Sequence, residues 1–128
     1  LMTIANGESK ITETIFENRM NHIYLLNEMG ARIKLNKNVA HIKGVQKIYG
    51  MNLVGSDLRS SAALIIAGII AKGSSKIYGL EHLDRGYENF ELKLKNLGIK
   101  IIREVNKDYS EDNEYKTQSE NISRLEAA

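Results

Sequence analysis

Cysteine is absent from this sequence, and its absence excludes two classes of stabilisation at once. Without a thiol the chain can form neither a disulfide framework nor a zinc–thiolate site, and the composition fits a cytoplasmic protein. Long apolar runs are also missing: the longest, residues 62–71, is about half of the roughly 18 residues that a membrane-spanning helix needs. No basic stretch followed by an apolar one opens the chain, so the sequence predicts no signal peptide.

Charge of one sign and aromatic side chains are both scarce. The formal net charge is +2 and aromatic residues make up 6% of the chain, so the sequence predicts no nucleic-acid-binding surface. His22, His41 and His82 are not spaced as metal ligands, and neither a glycine-rich phosphate loop nor a local Ser–His–Asp motif stands out. We therefore expect no metal and no cofactor. The 42% hydrophobic and 27% charged residues are typical of a globular domain.

The strongest signal that is present is an internal repeat. Residues 4–11 read IANGESKI and residues 70–77 read IAKGSSKI, so six of eight positions are identical at an offset of 66. Arg19 and Arg85 match at the same offset, and a two-residue shift extends the match further along the chain. A period this long predicts a duplicated folding unit rather than a short-repeat solenoid.

The periodicity of apolar residues divides each copy into strands and helices, and the order indicates an α/β fold with helices packed on sheets. The predicted strands are 9–15, 31–35, 39–43, 45–54, 75–80 and 99–102, the predicted helices are 21–29, 58–71 and 87–97, and the two copies span about 1–50 and 51–105. Residues 106–128 are polar and predict a disordered tail with one helical turn at 122–125. Leu1 lies in an uncapped helical pattern, so we expect a longer parent protein.

Charged residues at the start of a predicted helix are the first candidates for chemistry. Ser56 and Asp57 suit the N-cap of the helix at 58–71, and Arg59 places a cation where the helix dipole favours an anion. A plain cap with a solvated arginine is one interpretation. An anionic ligand is the other, because helix N-termini and arginine side chains both attract anions.

Two further arginines lie at equivalent positions of the repeat. Arg85 falls in the segment 82–88 between a strand and a helix, where α/β proteins commonly place ligands, and Arg19 occupies the same junction in the first copy. Either arginine alone is more typical of a surface charge. Two at one structural position, together with Arg59, predict a convergent anion-binding site.

Three strings carry a resemblance to a known family: ITETIFENR at 11–19, SDLRSSA at 56–62 and HLDRGYE at 82–88. Together they resemble the enolpyruvyl transferases, and among them the group that acts on UDP-N-acetylglucosamine, over about residues 1–104. The shikimate-pathway group shares the fold but not these strings. The resemblance implies an inside-out barrel of repeated βαβαββ units, of which this α/β chain would hold only the last part of one domain.

The resemblance also implies a reaction, in which the 3′-hydroxyl of UDP-N-acetylglucosamine adds to C2 of phosphoenolpyruvate and phosphate then leaves. This is the first committed step of peptidoglycan synthesis. The implied catalytic residues are Asp57, Arg59 and Arg85, and the implied substrate-binding residues are Ile15, Phe16, Arg19 and Arg85. Arg85 is expected on the phosphoenolpyruvate and Phe16 on the uridine side.

Several family features are not in the chain. The loop cysteine and the lysine that grips phosphoenolpyruvate are absent, the acid that binds the sugar hydroxyl would precede Leu1, and the polar tail is longer than the family pattern. We therefore expect the chain alone to be inactive and to self-associate through exposed apolar faces, while both substrates bind the full-length protein. Two alternatives stay open: a shikimate-type enolpyruvyl transferase, and a non-catalytic ligand-binding or interaction module.

Overall fold

Strands and helices alternate along the chain in an order that is used twice. The computed structural model describes residues 1–105 and 123–127. The strands are β1 (Glu8–Thr12), β2 (Arg32–Asn36), β3 (Val39–Lys43), β4 (Asn52–Val54), β5 (Ser75–Tyr78), β6 (Ile101–Val105) and β7 (Ser123–Ala127). The helices are α1 (Ile23–Glu28), α2 (Leu58–Ile70), α3 (Glu81–Gly86) and α4 (Phe90–Asn96), and a 3-10 turn (Met2–Ile4) precedes β1.

The two sheets share one topology. In the first sheet β3 lies between β1 and β2 and is antiparallel to both. In the second sheet β7 lies between β5 and β6 in the same way, and β4 is added parallel to β5. The registers agree as well, because Ser9 and Ile33 flank Ile42 while their repeat counterparts Ser75 and Ile101 flank Ala127.

The second half reads βαβαββ from β4 to β7, with its second helix divided into α3 and α4. The first half holds the corresponding elements from β1 onward, with α1 in the place of α4 and β3 in the place of β7. The predicted α/β fold class, with repeated βαβαββ units, is confirmed. Most predicted elements are present with ends within three residues of the predicted ones, and the β2–β3 hairpin turns at Lys37, which has positive φ.

The strand predicted over 45–54 is wrong for most of its length. Only β4 is regular, and Tyr49 makes an isolated bridge to Lys72. At Gly50 a Cβ would lie 2.2 Å from the carbonyl oxygen of Ser74, so the two backbones touch at this point. Before β4, this close backbone contact and the single bridge therefore replace regular strand pairing.

Helix α3 differs from the prediction, in which 82–88 connects a strand and a helix. The helix predicted over 87–97 is α4, and it begins only at Phe90 because Asn89 has left-handed backbone geometry with φ of 50°. Tyr87 and Phe90 stack across this break with ring centroids 5.2 Å apart. The junction after β5 is therefore two short helices rather than a loop and one helix.

The tail prediction is wrong for residues 123–127, which form β7. The helical turn predicted at 122–125 is thus a strand over 123–125, and the expectation of disorder for 106–122 lies outside the described residues. The strand forms because β5 and β6 supply backbone partners on both of its sides, a cause that a polar sequence does not reveal.

Helix α2 packs on the second sheet and carries much of the core. Leu64 and Ile65 are fully buried, as is Ile77 of β5 beneath them. Close approach depends on Gly68, where a Cβ would lie 3.0 Å from the Cβ of Ser75. The other face of α2 turns toward the first unit, and Ile66 there remains half exposed. None of the described helices has the length and apolarity to cross a membrane.

Candidate active site

The N-terminus of α2 is organised by Asp57, and the predicted N-cap is confirmed there. The backbone of Asp57 is extended, and its Oδ1 accepts hydrogen bonds from the backbone N–H groups of Arg59 and Ser60, both at 2.9 Å. The Ser60 hydroxyl accepts in return from the backbone N–H of Asp57 at 3.0 Å, which completes a capping box. Asp57 is therefore held rigidly, and Arg59 leaves the first turn of a well-ordered helix.

These contacts keep Asp57 ionised. The hydrogen bond from the backbone of Ser60 is the main cause that lowers the pKa of Asp57 below its ordinary value of 3.8, and Arg59 and Ser56 contribute further hydrogen bonds. Its second oxygen, Oδ2, accepts a hydrogen bond from the Ser56 hydroxyl at 3.2 Å. A carboxylate in this state can accept a proton or polarise a neighbour, but it cannot donate a proton at neutral pH.

A second carboxylate organises the loop that follows β1. Oε1 of Glu13 accepts hydrogen bonds from the backbone N–H groups of Ile15 at 2.8 Å and Phe16 at 3.2 Å, and these bonds lower the pKa of Glu13. Asn38 ties the loop to the β2–β3 turn, because its side chain donates to the carbonyl of Glu13 at 2.7 Å. Sequence reasoning assigned no role to Glu13, and only its position two residues before Ile15 could have suggested one.

The three residues implied to bind the sugar nucleotide are brought together by this loop. The guanidinium of Arg19 lies 3.5 Å from the centroid of the Phe16 ring, which is cation–π geometry. Ile15, Phe16 and Arg19 all line a groove of about 520 Å³. Ile15 is 77% exposed and Phe16 53% exposed, so both are available to a ligand rather than part of the core.

A neighbouring groove of about 570 Å³ lies between this loop and α2. Its charged and polar rim includes Glu13, Arg19 and His22 from the first unit and Arg59 from the second. The structure therefore brings Arg19 and Arg59 to one groove. Burial lowers the pKa of His22, partly against the attraction of the Asp57 carboxylate, so the imidazole is neutral at pH 7. Residues 1–105 and 123–127 contain no cluster of three His, Asp or Glu side chains that could bind a metal.

Arg85 lies in the last turn of α3, is exposed, and lines neither of the two grooves. Its chain neighbour Gly86 packs directly on Leu58, the first residue of α2, since a Cβ on Gly86 would lie 2.6 Å from Cδ1 of Leu58. Arg85 thus emerges beside the same helix end as Asp57 and Arg59. The structure therefore brings Arg19 and Arg59 to one groove and places Arg85 outside it, so a site shared by all three arginines stays a prediction.

The fold, the repeat and the positions of the arginines indicate a protein family, although they do not identify its substrate. Residues 1–94 match the family model described as EPSP synthase (3-phosphoshikimate 1-carboxyvinyltransferase). The chain belongs to this family of enolpyruvyl transferases, as its sequence strings predicted.

Within the family the chain is similar to curated relatives named UDP-N-acetylglucosamine 1-carboxyvinyltransferase. The relative from Prochlorococcus marinus (strain AS9601) is 84% identical over the whole chain, which spans 28% of that protein. The relative from Nostoc sp. (strain PCC 7120) is 50% identical over 80% of the chain, which spans 23% of its length. The chain thus corresponds to about a quarter of these relatives.

Solved structures support the same fold. The enolpyruvyl transferase NikO from Streptomyces tendae superposes with a TM-score of 0.67 at 29% identity, over 73% of this chain and 22% of that protein. EPSP synthase from Acinetobacter baumannii superposes with a TM-score of 0.62 at 18% identity, over 97% of this chain and 26% of that protein. The second likeness concerns the fold alone.

Proposed function

We propose that this chain is the part of a UDP-N-acetylglucosamine 1-carboxyvinyltransferase that holds the phosphoenolpyruvate anion and one side of the sugar nucleotide. The names of relatives at 84% and 50% identity support the choice of substrate. Because the chain spans about a quarter of those relatives, the activity is that of the whole protein. The same proposal includes a role in peptidoglycan synthesis, and through it in cell-wall biogenesis, cell shape and cell division. It also includes a cytoplasmic location for the whole protein.

The observation that carries the proposal is the grouping of charges around the start of α2. Arg59 projects from the helix that the ionised Asp57 caps, and Arg85 lies beside the same helix end, next to the contact of Gly86 with Leu58. Arg19 lines the groove of Arg59 from the side of the sugar-nucleotide loop. Phosphoenolpyruvate has a phosphate and a carboxylate, so it needs more than one cation for neutralisation and fixed orientation. Arginine suits this task because its planar fork can donate two parallel hydrogen bonds to either group.

The reaction assigns distinct tasks to these charges. The 3′-hydroxyl oxygen forms a bond to C2 of phosphoenolpyruvate and loses its proton, while C3 gains a proton. The tetrahedral intermediate then loses phosphate with its electron pair and a proton from C3, which restores the double bond. Arg85 and Arg59 offset the charge of the phosphate and carboxylate. Asp57 acts as an ionised group, either as proton acceptor or as a fixed charge that polarises the reacting atoms.

The sugar nucleotide is assigned to the loop after β1. Ile15 offers its backbone and Phe16 its ring, and Arg19 is held over that ring at 3.5 Å, where it can reach an anionic or polar group of the ligand. Glu13 supports this arrangement because it fixes the backbone N–H groups of Ile15 and Phe16. The loop is thus a preformed surface rather than one that must order on binding.

A shikimate-type enolpyruvyl transferase is the second candidate, because the family model that matches residues 1–94 carries the shikimate description. Both candidates use phosphoenolpyruvate and differ in the hydroxyl acceptor. The acceptor therefore decides between them.

The proposal is tested in a chimaera in which this chain replaces the aligned segment of the 84%-identical Prochlorococcus relative. Phosphate release from phosphoenolpyruvate is measured with UDP-N-acetylglucosamine or with shikimate 3-phosphate, and the enolpyruvyl product is identified by mass. We expect turnover with the sugar nucleotide at a rate close to that of the parent enzyme, and none with shikimate 3-phosphate. A folded chimaera that is inactive, or that prefers shikimate 3-phosphate, contradicts the proposal.

The isolated chain is the control for completeness of the site. We expect no phosphate release from it, because the groups that complete the site lie elsewhere in the relatives. Ile66 and Ile70 of α2 are 49% and 38% exposed on the apolar wall of the groove, so self-association of the isolated chain stays a prediction that gel filtration can check. Native-like turnover by the chain alone would remove the need for the rest of the protein.

A further inference from the structure

Arg103 forms a charged contact with two carboxylates, Asp84 and Glu91. From β6, its Nη1 donates to Oδ2 of Asp84 at 2.9 Å and its Nη2 donates to Oδ1 at 2.7 Å, which is a two-pronged fork. The same Nη2 donates to Oε2 of Glu91 at 3.1 Å. The Arg103 side chain is only 21% exposed, so this contact is more than a loose surface pair. One guanidinium thus links β6 to α3 and α4.

Helix α3 depends on contacts of this kind. It has six residues and its N-cap, Leu80, has no capping side-chain hydrogen bond, so the helix is too short to be stable by itself. Leu83 is its completely buried side chain, and Gly86 packs on Leu58. Apolar contacts hold such a helix in place but are not directional, so they define its rotation about its own axis less strictly than hydrogen bonds do. The fork on Asp84 fixes the roll, because it sets the direction of the next residue after Leu83.

The fork has no equivalent in the first unit. At the repeat offsets, Asp84 corresponds to Asn18 and Arg103 corresponds to Leu35, so no ion pair can form there. In the second unit, Asp84 lies in helix α3, whereas its counterpart Asn18 lies in the irregular loop after β1. Asp84 falls next to Arg85, the arginine assigned above to phosphoenolpyruvate.

We propose that Arg103 is a positioning residue, which orients Arg85 toward its anionic ligand through the fork on Asp84. The proposal rests on the function proposed above, in which Arg85 contacts phosphoenolpyruvate. Two physical effects combine. The fork fixes α3, and a roll of about 10° would move the tip of a long side chain by about 1 Å, enough to impair catalysis. Arg103 also neutralises Asp84, whose charge would otherwise oppose an anion bound by its neighbour.

The experiment compares three single variants of the chimaera: Arg103→Met, Arg103→Lys and Arg85→Ala. Each Arg103 substitution is also combined with Arg85→Ala in a double variant. Arg103→Met is expected to raise the KM for phosphoenolpyruvate about tenfold while the KM for UDP-N-acetylglucosamine changes less than about twofold. Arg103→Lys should recover stability but not this KM, because an ammonium cannot form the fork. In the Arg85→Ala background, Arg103→Met should cause no further loss of kcat/KM.

Arg32→Met on the exposed edge of the first sheet is the matched control and should leave both KM values unchanged. If Arg85→Ala itself has no effect, the function assigned to Arg85 is wrong. If Arg85→Ala is damaging but Arg103→Met only lowers Tm, changes both KM values equally, or adds fully to Arg85→Ala, then Arg103 has a merely structural role and the inference is overturned.

Discussion

The segment after β1 and the segment after β5 occupy matching places in the two units, yet they fold by different means. After β1, Glu13 holds an irregular loop by accepting two backbone hydrogen bonds. After β5, the counterpart of Glu13 is Gly79, which has φ of +74° and lies so close to the Gly55 carbonyl that a Cβ would be 2.4 Å from its oxygen. The glycine lets the chain turn tightly into α3.

The difference teaches what a duplicated frame determines and what it leaves open. The frame fixes where an arginine follows a strand, at Arg19 after β1 and at Arg85 after β5. The neighbouring residues decide its surroundings, because Arg19 lies on the Phe16 ring whereas Arg85 extends from a helix held by Arg103. Equivalent arginines can therefore serve different ligands.

The largest effect is expected from removing the two arginines separately in the chimaera. Arg85→Ala should lower kcat/KM for phosphoenolpyruvate by about 100-fold or more, because a donor to developing charge is lost. Arg85→Lys should recover little of it, since the charge remains but the fork does not. Arg19→Ala should act mainly on the KM for UDP-N-acetylglucosamine. Steady-state kinetics with each substrate varied in turn measures both, and identical profiles for the two alanine variants would mean that their roles have not diverged.

An intermediate effect is expected at the loop after β1. Glu13→Ala frees the N–H groups of Ile15 and Phe16, so the KM for UDP-N-acetylglucosamine should rise about fivefold while that for phosphoenolpyruvate stays within about twofold. Glu13→Gln keeps an acceptor oxygen and is the matched control, with a smaller rise expected. A larger change for phosphoenolpyruvate than for the sugar nucleotide would contradict the assignment of this loop.

The smallest effect is on the free energy of unfolding, and it concerns α2, the helix that both sides of the comparison share. Asp57→Ala removes the cap of α2 and should cost about 1 kcal/mol, whereas Asp57→Asn keeps a capping oxygen and should cost less. The pKa of Asp57 is lowered on folding, so its charge contributes stability above its ordinary value of 3.8, and this contribution is lost as the pH falls through the folded pKa. Thermal unfolding at several pH values should show the gap between wild type and Asp57→Asn closing in acid. A gap that widens in acid would reverse the sign of this argument.

Much of the frame could be predicted from sequence because duplication left identical residues in phase and because α2 carries its own start signal in Asp57. Helix α3 could not, since it has no capping side chain and depends on Arg103, distant in the chain. Strand β7 could not either, because it forms by pairing on both sides with β5 and β6. The local sequence pattern indicates which secondary structure a segment prefers in isolation. Helix α3 and strand β7 instead depend on contacts with other segments of the chain.

The candidate site divides in the same way. The three strings identified which residues to consider, including Asp57, Arg59 and Arg85, because residue type and spacing are visible in the chain. The grouping of Arg19 with Arg59 in one groove was visible only in three dimensions, since the two residues belong to different units. The sequence did not predict that Glu13 holds the loop after β1 or that Arg103 contacts α3. Both roles follow from the atoms that these side chains contact rather than from their neighbours in sequence.

The position of β7 has a consequence for how the second unit comes to exist. It is the last described strand along the chain and lies between β5 and β6 in its sheet, so in this sheet these two strands are joined through it. During synthesis β5 and β6 must wait until residues 123–127 have been made before the sheet can join them. The wait includes closing a long connection, which costs chain entropy before any strand pairing repays it. The sheet pairing of β6, the strand that carries Arg103, is therefore among the last parts of the unit to assemble.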